Sequence, residues 1–416
     1  MGGCEVTAFR SLSRDTLAAL VPELLLCGHL IDRCGMAYTI AAFGREGMAG
    51  VAIEEWQTAS PVYTRRMQRA LGFVGDSVET IFKGLQLDIG APPQFMDFRF
   101  RIHDRDHGEF WLDHCGALAD VEPMGEEFVV SMCHDIEDPT FDATALATNP
   151  RAQVRPIHRP PRMPADRKPM CAWTVIIDAA HEPPPIPPNS DLLADSAAAH
   201  VVLDPIDPDD DGRGDYSGPL LSDLRFGDFS HSALARIAGE VCLQQHLLTL
   251  GFRIAVRART GEDEARDIVR KQFTGIAGLT AERLRRCLGA GDDGAGLAAV
   301  LSVHPALNPL SYTGIEVSHE GEGVRLHVPA DSGARTDGTW PSVLDVDHLA
   351  PLNALARGVN PRYVASAVRE PDGLTVEFTL ADQPFREASE VAVTRFSTGA
   401  EFAFADRGKP LPLTVL

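Results

Sequence analysis

Leu17-Ala-Ala-Leu-Val-Pro-Glu-Leu-Leu-Leu-Cys-Gly-His-Leu-Ile31 and Leu234-Ala-Arg-Ile-Ala-Gly-Glu-Val-Cys-Leu-Gln-Gln-His-Leu-Leu248 lie over one another without a gap. Leu17/Leu234, Glu23/Glu240, His29/His246 and Leu30/Leu247 coincide at one offset (234 − 17 = 217). The same offset carries Trp56 onto Phe273, Arg66 onto Arg283, Arg69 onto Arg286, Leu71 onto Leu288 and Gly72 onto Gly289. A later block, Asn149-Pro-Arg151, meets Asn360-Pro-Arg362 at a smaller offset (360 − 149 = 211). Two matched blocks in the same order indicate a tandem duplication, the first feature to seek in a chain of this length.

Each copy has the same coarse layout. Leu17, Leu20, Leu24 and the Leu30-Ile31 pair recur at helical spacing, so the unit opens with an amphipathic helix. A second helix is expected around 53–71, closed by Gly72, and a third over 77–87. The period then changes to two: Phe98, Phe100 and Ile102 alternate with Arg99, Arg101 and His103. Asp106-His107-Gly108-Glu109 supplies a turn, and residues 110–114 return as the second arm of a hairpin. The second copy repeats this with 314–318, a turn at 320–323 and 324–328. A helix over 133–147 and strands at 153–158 and 172–178 complete the unit. The expected fold is α+β: a tandem duplication of N-terminal helices followed by a ββαββ antiparallel sheet. The expected boundaries are 1–180 and 229–416, the copies packing as an intramolecular pseudo-dimer. Between them, 181–228 contains Pro183–Pro188 and the acidic run Asp204–Asp211, which reads as an exposed linker rather than a calcium loop.

The 416-residue chain is 44% hydrophobic and 23% charged, values of an ordinary globular protein, with a formal charge of −21. That charge repels phosphate backbones and anionic lipid, so nucleic acid is a poor expected partner. No apolar run reaches the roughly 18 residues of a membrane span. Without an export signal, the eight cysteines are expected to be reduced thiols in a cytoplasmic protein.

Chemistry-bearing residues concentrate in the first copy: His103-Asp104, His107, Asp113-His114-Cys115 and Cys133-His134-Asp135, then Glu137 and Asp138. Cys133 at the start of a helix would feel the positive end of the dipole, which favours thiolate. Cys115, Cys133, His134 and Asp135 are the candidate catalytic residues, a nucleophile with acid/base partners. His114, Cys115, Cys133 and His134 are alternatively a ligand set for zinc or iron. Cys27, Cys34, Cys171, Cys242 and Cys287 read as packing. Where the first copy has Cys115 and Cys133, the second has Val328 or Pro329 and about Leu344, which suggests one functional and one structural copy. Glu23 and His29, about 240° apart on a helix, read as structural contacts.

Residues 30–178, with Cys115, then Cys133-His-Asp135, then a helix, then Cys171-Ala-Trp173, resemble the L-2-amino-thiazoline-4-carboxylic acid hydrolase family and, more distantly, the 4-vinyl reductase domain. The resemblance implies hydrolytic opening of a small ring at a C–N bond, with Cys or a bound metal activating the attack. The expected function is therefore a small-molecule hydrolase. The alternatives are a non-enzymatic ligand- or metal-binding protein and a purely structural scaffold with core cysteines.

Overall fold

The computed structural model describes residues 8–321, 323–407 and 414–415. In the first copy, α1 (Arg14–His29) and α2 (Ile31–Ala70) precede α3 (Val78–Leu85) and the hairpin β1 (Met96–Ile102) and β2 (His107–Cys115). There follow α4 (Gly116–Val121), α5 (Glu126–Val130), a π-helical turn (Ser131–Ile136), α6 (Glu137–Leu146), β3 (Ala152–His158) and β4 (Cys171–Ile177). Short helices α7 (Ser190–Ala194) and α8 (Ala197–His200) lead to the second copy. That copy contains α9 (His231–Thr260), α10 (Glu262–Leu288), α11 (Gly294–Val303), α12 (Leu310–Thr313), β5 (Glu316–Glu320) and β6 (Gly323–Pro329). It ends with α13 (Gly333–Asp337), α14 (Ala350–Val359), β7 (Tyr363–Glu370), β8 (Gly373–Leu380) and α15 (Ser389–Thr394).

The two sheets have the same topology. The first runs β3-β4-β2-β1 and the second β7-β8-β6-β5, every one of these pairings antiparallel. Residues 414–415 add a short parallel strand, β9, beside β1. The α+β duplication is thus present in the fold.

Local chemistry repeats with the topology. Ser13 caps α1 through the Thr16 N–H, and Ser230, 217 positions on, caps α9 through the Ala233 N–H. Asn149 donates from Nδ2 to the Asp76 carbonyl and accepts from the Arg151 N–H. Asn360 makes the same two bonds, to Asp292 and from Arg362. These bonds explain why Asn-Pro-Arg stands in both copies.

The opening helices differ from the expected layout. The helical run does not resume at 53 but extends through α2 from Ile31 to Ala70, broken at Gly44 with φ 71° and ψ 179°. Gly261, again 217 positions on, separates α9 from α10 with φ 100° and ψ 179°. Residues 14–43 therefore correspond to α9 and 45–70 to α10. A positive φ with extended ψ is a glycine conformation, so both copies break their helices at a glycine.

The long helices of the two copies pack on one another, and their ion pairs cross from copy to copy. Arg66 donates to both carboxylate oxygens of Glu240, at 2.9 and 3.2 Å. Arg283 donates to Glu23 at 2.7 Å. Since Arg66/Arg283 and Glu23/Glu240 are repeat mates, the contact is reciprocal, as across a two-fold axis. Each arginine also holds an arm of chain: Arg66 binds the carbonyls of Ala199 and Val201, and Arg283 those of Gly399, Ala400 and Phe402. The far side of each arm meets an aspartate of the other copy. Asp337 accepts from the Ala197 and Ala198 N–H groups, and Asp120 from Ser397, the Thr398 N–H and the Thr398 hydroxyl.

Asp120 and Asp337 are also 217 apart. The segment around 190–201 is therefore a repeat element, matched by 389–402, and each copy's closing arm docks on the other. Pro183–Pro188 is largely exposed as a linker would be, but Leu193, Ala198, Tyr216, Leu220 and Phe226 farther along are buried. No helix among the described residues is long and apolar enough to cross a membrane.

Candidate functional site

The predicted cluster is dispersed around a buried patch. Cys115 ends β2 and caps α4, its Sγ accepting from the Leu118 N–H at 3.3 Å. Ser332, 217 positions later, caps α13 through the Arg335 N–H, so the true repeat mate of Cys115 is Ser332, not Val328 or Pro329. The thiol does a capping hydroxyl's work.

Cys133 does not open a helix. It sits inside a continuous helical run through α5, the π-turn and α6, so the dipole expected to lower its pKa is absent there. Burial raises the thiols of Cys133 and Cys171 and pushes Cys115 up to about 12, with the nearby Glu137 carboxyl adding to each rise. None of the three is an activated thiolate.

The polar members of the prediction point elsewhere. His134 donates from Nε2 to the Pro160 carbonyl at 2.7 Å, and Asp135 is exposed. His114 lies edge-on to Phe95 and stacked on Phe402, its pKa lowered by burial and then by Lys168. Among the described residues, no three of His114, Cys115, Cys133 and His134 bring ligand atoms within 4.8 Å of one another. These four side chains do not assemble a tetrahedral metal site.

Buried as they are, Cys115, Cys133 and Cys171 are expected to resist a thiol-reactive disulfide reagent in the native protein at about pH 8 and to react only on unfolding. Rapid labelling of Cys133 in the folded chain would contradict it, and mass mapping of the labelled peptides is the readout.

What the first copy does contain is a cavity of about 90 Å³ between α2, the hairpin and α6, lined by His29, Asp32, Arg33, Trp56, Asp88 and Glu137 among others. Phe98, Phe141, Met132 and Ile136 supply apolar wall. Asp32 accepts from Trp56 Nε1 at 2.8 Å. The other Asp32 oxygen faces the carboxyl of Glu55, 2% exposed, and neither of the facing oxygens finds another partner. Burial and the neighbouring Asp32 raise Glu55 well above its ordinary value.

Other lining groups are displaced in the same way. Asp88 accepts from the Tyr63 hydroxyl and the Gly90 N–H, yet burial pushes it up to about 6. Burial, then the adjacent Asp138, pushes Glu137 up to about 8, against the pull of Arg159 and Arg33. His29 is held neutral, at about 3, by burial and by Arg33. Arg33 binds Asp120 through Nε at 3.2 Å. Among the described residues, its terminal nitrogens meet Met36 Sδ at 3.6 Å and His29 at 3.5 Å. The guanidinium thus keeps donor capacity to spare.

In the second copy the same positions are stripped of charge. At offset 217, Asp32 becomes Thr249, Arg33 becomes Leu250, Glu55 becomes Gln272, Tyr63 becomes Thr280 and Trp56 becomes Phe273. His304 takes the role of Asp88, accepting from the backbone N–H two residues on. Trp340, 1% exposed, stacks on Phe273 at 5.4 Å and tilts against His246 at 5.5 Å, while Tyr312 meets His246 edge-on at 5.0 Å. His246 and Phe273 are the mates of His29 and Trp56, so in the second copy aromatic rings pack against the counterparts of two residues that line the cavity of the first.

Asp32, Arg33, Glu55 and Tyr63 are not among the candidate residues the sequence singles out. The signal lay in the gapless alignment itself, where ionisable residues of one buried helix face meet neutral ones. No family model, curated protein or solved structure matches the chain.

Proposed function

We propose that the first copy binds a small organic molecule in the cavity beside Trp56 and that the second copy is its structural counterpart. The observation that carries this reading is the contrast between mates: the first copy has an open space lined by ionisable side chains among apolar ones, while in the second the corresponding residues are neutral and Trp340 packs on the mates of His29 and Trp56. Buried ionisable groups are costly to a fold, and their retention in one copy alone points to use. A space of about 90 Å³ is below the roughly 300 Å³ at which pockets for drug-sized ligands begin, so the ligand has few non-hydrogen atoms.

Hydrolysis of a C–N bond is the reaction we attach to this cavity. Asp88 at about 6 and Glu137 at about 8 are two carboxyls whose surroundings set them apart, the pattern of a base and an acid sharing one site. Glu137, protonated near neutrality, would protonate the leaving nitrogen, and Asp88 would take a proton from water. This role falls to carboxyls and not to Cys115 or Cys133, whose thiols stay protonated.

The test is ligand-observed NMR with a mixture of small carboxylic acids, amides and cyclic amidines, set beside an assay of ammonia or amine release. The parent is expected to bind members of the mixture. Thr140→Phe, which fills the cavity from α6, is expected to lose them without a change in melting temperature. Turnover, where present, should fall as pH rises through about 8, because the acid form of Glu137 is then lost. Glu137→Gln should keep binding while losing turnover. Binding unaffected by Thr140→Phe would refute the site. Binding without any turnover would support the non-enzymatic reading, a ligand-binding protein.

A further inference from the structure

The outward face of the first sheet carries a second cluster that the cavity does not use. Along β1 and β2 the inward positions hold Phe98, Phe100, Phe110 and Leu112, leaving Arg101, His103, His107 and Glu109 on the other face. At the hairpin end the rings of His103 and His107 stack with centroids 4.4 Å apart. Glu109 Oε1 lies 3.3 Å from His103 Nε2, while its other oxygen accepts from Arg101 at 2.9 Å. His103 Nε2 is buried and makes no aligned hydrogen bond despite that short approach. One ligand atom from each of His103, His107 and Glu109 lies within 4.8 Å of the others.

We propose that His103, His107 and Glu109 bind a first-row divalent metal ion, zinc in the first instance. Two imidazoles and one carboxylate are a donor set that zinc accepts with its remaining position open to water or a ligand. The three residues stand on one tight hairpin whose register the sheet fixes, so little chain ordering is needed on binding. Arg101 holds the far oxygen of Glu109 and lies over the Trp111 ring, which orients the carboxylate as an outer-shell partner does. A second such set among the described residues, His327, Glu370 and Asp372, is already engaged: His327 contacts the Thr375 hydroxyl, which donates to Glu370. It serves as the internal control.

The experiment is a zinc titration of the chelator-treated full chain against a chromophoric chelator, with cobalt(II) absorption as a second readout. About one zinc per chain is expected at the hairpin. His103→Ala and His107→Ala should each weaken binding at least about tenfold and abolish the cobalt spectrum, while His327→Ala leaves both unchanged. Circular dichroism keeps the comparison to folded protein. The proposal is overturned if zinc binds no more tightly than about 1 mM, if the hairpin variants bind as the parent does, or if the loss follows His327→Ala instead.

Discussion

Glu240→Ala is expected to destabilise the chain by about 3–5 kcal/mol, read as a lowered urea midpoint. Glu240 is 2% exposed and accepts from two arginines, Arg66 of the other copy and Arg236 on its own helix. Removing it leaves two guanidinium groups in the helical layer without their carboxylate, and the cost is that of uncompensated charge rather than of a lost contact. The repeat mate gives an internal scale. Glu23 is 16% exposed, and burial raises its pKa despite the counter-pull of Arg283, so it is the weaker anchor. Glu23→Ala should therefore cost less than Glu240→Ala. Pairing Glu240→Leu with Arg66→Met should recover part of the loss, because no bare charge then remains on that pair. A loss below about 1 kcal/mol for Glu240→Ala would put the crossed pair in the class of surface ion pairs and remove its role in joining the copies.

Trp340→Ala is the second large effect, with about 3–5 kcal/mol expected from lost burial and the void left behind. The ring stacks on Phe273, tilts against His246 and is almost wholly enclosed. Its removal should open in the second copy a space like the one the first copy has, with Thr249, Leu250 and Gln272 in place of Asp32, Arg33 and Glu55. The new space should not bind the ligands of the first cavity, because the ionisable groups are absent. Calorimetric unfolding measures the first part, and ligand-observed NMR on a Trp340→Ala/Thr140→Phe double variant the second. A cost near that of an ordinary surface substitution, about 0.5 kcal/mol, would mean that Trp340 does not fill the space.

Much of the fold was legible because it rests on repeated local chemistry. The Leu17 and Leu234 stretches, the Phe98–His103 alternation and the two Asn-Pro-Arg turns each state their structure in a few residues. The closing arms were not legible. Residues 190–201 and 389–402 share little besides Ser196/Ser397 and Ala199/Ala400, and their partners, Asp120 and Asp337, belong to the opposite copy. A contact made across the pseudo-dimer leaves no periodic trace in the segment that makes it. Gly44 and Gly261 were readable, since they stand at the governing offset, but a lone glycine in a helical pattern is easily passed over.

The candidate site was legible only in outline. The proposed division into one functional and one structural copy rests on comparing mates, and the cavity contrast supports the proposal. Cys115, Cys133, His134 and Asp135 are reactive by residue type, but their burial and direction in the fold do not use that reactivity. Cys115 is a cap, Cys133 lies within a helical run, His134 is held by Pro160 and Asp135 is exposed. The groups with displaced pKa values are carboxyls, which sequence patterns do not mark because carboxyls abound on every surface.

The most direct test of the central claim is a crystal of the parent soaked in the small-acid and amide mixture that the NMR screen selects. The predicted result is ligand density in the first copy between Trp56, Arg33 and Glu137, with the equivalent space of the second copy filled by Trp340. Density only on the protein surface, or at His246 and Phe273 with the first cavity empty, would contradict it.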